Sequence, residues 1–229
     1  MSGAVLSVRL VFGFAPCVIF HVEYLVEGHG SGVGVTSAAR VKLAARVTPL
    51  GAAVLALLAE RPMHPYQMFS VLMERRQDRL VKIRAGSLYH TVERLARDGL
   101  LEVTGTERAG ARPERTMYAL ADAGTVALED WVRRTMSEPE PEFPRFPLAL
   151  AEAHNLSVDT VVGLLTEYLQ IVETDIDAYR TAIEQLQKLP LPEAHWLEID
   201  YLLAQRSAER DWIATTLKRL QSKDLPWPK

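Results

Sequence analysis

The chain has 229 residues, 48% hydrophobic and 24% charged, which suits one large or two small globular domains with cores of their own. A formal net charge of −3 gives no overall basic signature, and the single cysteine, Cys17, excludes an intramolecular disulfide framework and a Cys-rich metal site. A reducing, cytoplasmic setting is therefore expected.

The charge is unevenly placed. From Val47 to Met136 there are 13 Lys and Arg against 11 Asp and Glu, whereas Ser137 to Lys229 holds 9 against 16. Glu74 to Arg97 alone has seven basic and three acidic residues, enough to attract phosphate locally.

Residues 1–46 are expected to form a poorly ordered extension. The apolar run from Leu10 to Phe20 is broken by Pro16 and is too short to span a bilayer. Arg9 is the only early positive charge, and no small-residue cleavage pattern follows closely, which argues against a signal peptide. Gly28 to Gly34 reads as a flexible linker, because no Lys-Ser/Thr follows to make a phosphate loop.

Regular patterning starts at Thr48-Pro49, a cap followed by proline at a first helical position. Leu50, Val54, Leu57 and Leu58 mark a helix ending near Arg61-Pro62. A second helix is expected from Pro65 to Arg79, with Tyr66, Phe69, Leu72 and Met73 on its apolar side. The third carries Leu88, Val92 and Leu95 at i, i+4 and i+7, with Gly86-Ser87 as its start and Gly99 as its left-handed end. Its opposite face holds Tyr89, His90, Glu93, Arg94 and Arg97. Leu101 to Thr106 and Thr116 to Leu120 alternate like strands around a Gly- and Pro-punctuated loop containing Arg108, Arg112 and Arg115.

Three helices followed by a basic-tipped hairpin is the layout of a winged helix-turn-helix, expected over residues 47–136. Its third helix would enter a major groove while the wing touches the backbone or minor groove. Tyr89 and His90 then fall where side chains reach base edges or phosphates, the other reading of Tyr89 being packing against the first helix. Ser87 serves as a phosphate ligand or simply as a cap. Lys82 and Arg84 approach the backbone ahead of the helix; Arg94 lies further along, where solvation is the commoner fate; Arg108, Arg112 and Arg115 are the wing's phosphate contacts.

Asp122-Ala-Gly124 opens a fourth helix through Val126, Trp131 and Val132. Four prolines make residues 137–147 a linker. Residues 148–229 then hold two long helical patterns. Val161, Leu165, Tyr168, Val172, Tyr179, Ile183 and Leu186 line one, from about Val158 to Leu186. Trp196, Ile199, Leu203, Ile213, Leu217 and Leu220 line the other, from about Glu193 to Leu220, with Arg206 and Arg210 interrupting the seam. Joined at Leu189-Pro-Leu-Pro192, they form an antiparallel, coiled-coil-like hairpin that cannot bury both stripes alone, so a second copy of the chain is the economical partner. The expected fold is mainly α: a winged helix-turn-helix followed by this dimerisation hairpin.

Thr48-Pro-Leu-Gly51, Leu55-Ala-Leu-Leu58, His64-Pro-Tyr-Gln67, Gly86-Ser-Leu-Tyr-His90, Glu93-Arg-Leu95, Asp98-Gly-Leu-Leu101, Tyr118-Ala-Leu120 and Ala123-Gly124 occur in order over 77 residues. In these residues the chain resembles the PadR-type transcriptional regulators, and the two long helices are similar to the dimerisation region of longer-tailed members. The family usually has proline where Ala85 stands. The resemblance implies a cytoplasmic, homodimeric repressor on a near-palindromic operator, with a small aromatic effector in many members. It brings no ligand motif and no cofactor.

Trp131, Trp196 and Trp212 could line an effector pocket in a dimer, although core packing is the plainer reading. The six histidines show no i, i+4 pairing, so no metal site is expected, and no nucleophile–base motif appears, so no enzyme is expected. The rival reading is a helical interaction module whose winged domain binds protein rather than DNA.

Overall fold

The computed structural model describes residues 47–107, 115–140 and 142–228. The chain divides into two compact units, one through Glu140 and one from Pro141 onward. Among the described residues no helix is long and apolar enough to cross a membrane.

The first unit is built around helix α1 (Pro49–Glu60), which touches every other α-helix of the unit, α2 to α4, and the second strand. Leu50, Val54, Leu55, Leu57 and Leu58 are all buried, so the helix is apolar nearly all round, as a central helix must be. Thr48 caps it by accepting the Gly51 N–H at 3.1 Å, and Pro49 stands where no intrahelical donor is needed.

Helix α2 (Pro65–Glu74) ends earlier than the sequence pattern suggests. Arg76 takes a left-handed conformation (φ 56°), and a short 3₁₀ turn covers Gln77–Arg79. Arg75 grips Glu60 of α1 through both guanidinium nitrogens, the longer contact being 2.7 Å. The buried face of α2 is Pro65, Met68 and Leu72; Tyr66 and Met73, expected on it, are exposed.

Helix α3 (Ala85–Arg97) buries Leu88, Val92 and Leu95 completely. It ends in a Schellman motif, with Leu100 N–H on Leu95 O (2.9 Å), Gly99 N–H on Ala96 O (3.0 Å) and Gly99 at φ +73°. Its start differs from the Gly86-Ser87 expectation. Arg84 is the extended residue ahead of the helix, and Ala85 occupies the first helical position. That is the place where proline is pre-organised, so alanine there loses only rigidity.

Strands β1 (Leu101–Glu107) and β2 (Arg115–Leu120) pair antiparallel with a bulge between Val103 and Gly105. An unexpected addition is Met63, which exchanges both backbone hydrogen bonds with Tyr118 (3.0 and 3.1 Å) and so ties the α1–α2 connection to the sheet. Helix α4 (Asp122–Ser137) packs on α1. At Gly124 a Cβ would lie 2.2 Å from the Leu100 carbonyl oxygen, so only glycine allows this approach.

In the second unit the proline-rich stretch hides a helix. Its expected linker, residues 137–147, overlaps α5 (Arg145–Ala151), where Pro147 sits in the first turn and its missing N–H costs nothing. A 3₁₀ turn, Ala153–Asn155, leads to the Ser157 cap of α6 (Val158–Leu186). A 3₁₀ turn at Glu193–His195 precedes α7 (Leu197–Gln221). Cross-helix pairs run in opposite senses along α6 and α7, which makes the hairpin antiparallel: Tyr168 O–H donates to Glu209 at 3.0 Å, and Arg206 meets Asp175 at 3.4 Å.

Beside these polar pairs, Val161, Leu165, Val172 and Ile176 of α6 form one apolar cluster with Ile213, Leu217 and Leu220 of α7. Ile176 and Ala182 join the buried side of α6, while Ile183, expected there, is only half-buried. Trp227 closes one end by donating its indole N–H to Leu156 O at 2.9 Å.

Candidate nucleic-acid interface

Burial of Leu88, Val92 and Leu95 on one side of α3 turns the other side to solvent. Lys82 and Arg84 precede that face and are exposed; Ser87, His90, Glu93 and Arg97 lie on it and are exposed. Among the described residues no side chain caps α3, so its first-turn amides present the positive end of the helix on the same face. Ser87 is inside the first turn and not its cap, because the extended residue is Arg84; its carbonyl accepts the Thr91 hydroxyl at 2.8 Å.

His90 is 86% exposed, with Nδ1 3.8 Å from Glu93 Oε2. Tyr89 is partly exposed, and its ring stands edge-on to His64, centroids 6.4 Å apart. His64 caps α2 by accepting the Tyr66 N–H on Nδ1 at 3.1 Å. Tyr89 thus touches the cap of α2 while keeping an exposed edge.

Arg94 differs from the other cations of the set. Its guanidinium lies 3.5 Å from Thr48 Oγ1 and 3.9 Å from Asp98, so it braces the cap of α1. Arg108 and Arg112 lie outside the described residues. Arg115 stands on β2 opposite Glu107 at the tip of the described hairpin.

Tyr66 was missed as a candidate. It is 61% exposed at the second position of α2, beside the Tyr89–His64 contact. The available signal was its phase, off the Pro65, Met68, Leu72 stripe.

Trp131 belongs to the first unit, Trp196 and Trp212 to the second. Trp131 packs on the core of the first unit. Trp196 is buried ahead of α7, with no hydrogen-bond acceptor for its indole N–H among the described residues. Trp212 is half-exposed on α7, roughly 24 Å further along at 1.5 Å per residue. The second unit instead holds a cavity of about 630 Å³ between α5 and α6, with Phe146 and Tyr168 stacked on its wall (4.3 Å, 8°). Burial, and then the hydrogen bond to Glu209, raise the Tyr168 phenol above its ordinary value, so it stays protonated and donating. Burial alone would lower the Arg206 guanidinium, but Glu209, with Tyr168 and Asp175, raises it. Among the described residues no group of three or more His, Cys, Asp or Glu is placed to hold a metal.

Residues 54–130 match the model of the transcriptional regulator PadR-like family. A comparison with curated proteins yields no match. Among solved structures, Bacillus subtilis PadR in complex with operator DNA is 23% identical, covering 76% of this chain and 99% of that one, with a TM-score of 0.65. Bacillus subtilis PadR in complex with p-coumaric acid is 21% identical over the same shares, with a TM-score of 0.64. A PadR-like transcriptional regulator from Bacillus cereus is 18% identical, again over 76% and 99%, with a TM-score of 0.55. The chain therefore carries a PadR-like regulator domain over residues 54–130, on a winged helix-turn-helix fold followed by two long helices.

Proposed function

We propose that the chain is a cytoplasmic, effector-responsive homodimeric repressor that binds near-palindromic operator DNA, with α3 in the major groove and the wing on the backbone. The observation that carries this is the solvent face of α3, where Lys82, Arg84, the uncapped first turn, Tyr89 and His90 converge. Bacillus subtilis PadR, which shares the fold, has been solved with operator DNA and with p-coumaric acid.

Dimerisation is supported by α7, which is apolar on two sides. Ile199, Ile213, Leu217 and Leu220 face the hairpin core, while Leu197, Tyr201 and Trp212 form an exposed stripe at helical spacing. A second copy would cover that stripe and hold two α3 helices about 34 Å apart, one turn of duplex. Repression is then steric, and an effector acts by changing that separation.

Fluorescence anisotropy with the chain's own upstream region, at several salt concentrations, tests the reading. If each protomer places about four cations on phosphates, log K against log salt has a slope near −7. Lys82→Ala with Arg84→Ala should weaken all duplexes alike and flatten the slope by about 3 to 4 for the dimer; Tyr89→Phe or His90→Ala should also alter base preference. Absence of a salt-dependent, sequence-dependent complex would favour a domain that binds protein instead.

A further inference from the structure

We infer that the α5–α6 cavity is a binding site for a hydrophobic organic cation with aromatic rings. The inference rests on the effector reading above and names the chemistry of the effector.

The cavity, about 630 Å³, is of the size that takes a small organic molecule. Its walls are apolar, with Leu164 and Ile171 of α6 more than half exposed into solvent beside it. Phe146 and Tyr168 supply aromatic surface, and the Tyr168 hydroxyl is already committed to Glu209. Among the described residues the charged members of the lining are Glu152 and Glu167, with no Lys, Arg or His. Glu152 is held by Asn155, whose Nδ2 donates to it at 3.2 Å.

Two carboxylates and aromatic walls favour a cation twice over, by charge and by cation–π attraction. The surrounding residues 137–229 add to the effect with 16 acidic against 9 basic residues. An aromatic carboxylic acid would bring a negative charge to the same rim with no cation to receive it. A neutral aromatic would forgo the rim altogether. A binding event here is not remote from the hairpin, because the Phe146–Tyr168 stack leads through Glu209 to Arg206 and Asp175, the polar centre that joins α6 to α7.

Two ions of nearly the same size and opposite charge make the test: tetraphenylphosphonium and tetraphenylborate, titrated calorimetrically into the full-length chain. The expected result is saturable uptake of one phosphonium per chain, with the borate at least about tenfold weaker, equivalent to 1.4 kcal/mol. Glu152→Gln with Glu167→Gln should weaken the phosphonium about fivefold and narrow the difference between the two ions. Phe146→Ala should weaken it by a similar factor through loss of the aromatic wall. Equal uptake of both ions, or phosphonium binding indifferent to all three substitutions, overturns the assignment. So does failure to bind in a chain whose Leu164→Glu and Ile171→Glu changes lower its molecular mass in solution, because a second copy then covers the groove. The DNA arm is separate. Phosphonium binding that leaves affinity for the upstream duplex unchanged supports the cavity and sinks the effector reading; no phosphonium binding by a chain that still binds the duplex sinks the cavity alone.

Discussion

The two units bury their apolar residues to different degrees. In the first, Leu55, Met63, Met68, Leu88 and Leu95 are wholly inaccessible, and α1 is enclosed by the rest of the unit. In the second, the hairpin closes one seam but leaves Leu148, Leu164, Ile171, Leu197, Tyr201 and Trp212 open, and places Arg206, Glu209 and Asp175 at the centre of the seam it does close. A self-sufficient core suits a part that must present one rigid face. An open one, with a polar centre that fixes register, suits a part whose remaining surface is completed by something else.

The largest expected effect comes from charging the outer stripe of α7. Tyr201→Glu with Trp212→Glu should halve the molecular mass seen by light scattering and weaken operator binding at least about a hundredfold, because a lone protomer holds one half-site. Melting of the first unit should be unchanged. A variant that stays dimeric would move the interface elsewhere on the hairpin.

How much of this was readable beforehand depends on where local chemistry decided the outcome. The Leu189-Pro-Leu-Pro192 turn marks the end of α6, and its observed range, Val158–Leu186, is the range its periodicity gives. Gly99 announced the end of α3 because only its left-handed φ completes the motif there. The errors lie where tertiary context overrode a local sign. Four prolines mark residues 137–147 as a linker that is not helical throughout, yet a helix already begins at Arg145, because Pro147 is harmless in a first turn. Ser87 looked like a cap, but Arg84 turns the chain three residues earlier. Tyr66 and Met73 looked like core, and only the exact packing of α2 through Met68 and Leu72 shows otherwise. The Met63 bridge has no local signal, since a single residue pairing with a distant strand leaves no periodicity. The outward stripe of α7 is legible only in part: two apolar faces on one helix blur its pattern, and Trp212 reads as a lone aromatic rather than as part of a face.

A matched pair of glycines sharpens the contrast at intermediate size. Gly124→Ala should destabilise the first unit by about 3 kcal/mol, because the new methyl meets a backbone oxygen that cannot withdraw. Gly163→Ala, in the interior of α6 with open space around it, should stabilise the second by about 0.5–1 kcal/mol. Chemical denaturation followed by circular dichroism reads both; the same sign for the two would erase the difference between the units.

The smallest effect concerns Glu198, half-buried in the first turn of α7. Burial raises its carboxyl above the ordinary glutamate range, its own backbone hydrogen bond opposing in part. The folded chain therefore takes up this proton more readily than the unfolded one, so its contribution to stability rises as pH falls from neutral toward the usual glutamate range. Glu198→Gln should raise Tm slightly at pH 7 and lose that advantage in acid. An advantage that persists unchanged at low pH would place the effect in packing and not in charge.

The most direct measurement is selection of bound duplexes from a random pool by the full-length chain. Enrichment of an inverted repeat whose half-sites lie one helical turn apart, shifted in sequence by Tyr89→Phe or His90→Ala, is the expected result. A pool that returns unenriched at low salt, or a single half-site bound equally well by the Tyr201→Glu/Trp212→Glu chain, would contradict a dimer reading DNA through paired α3 helices.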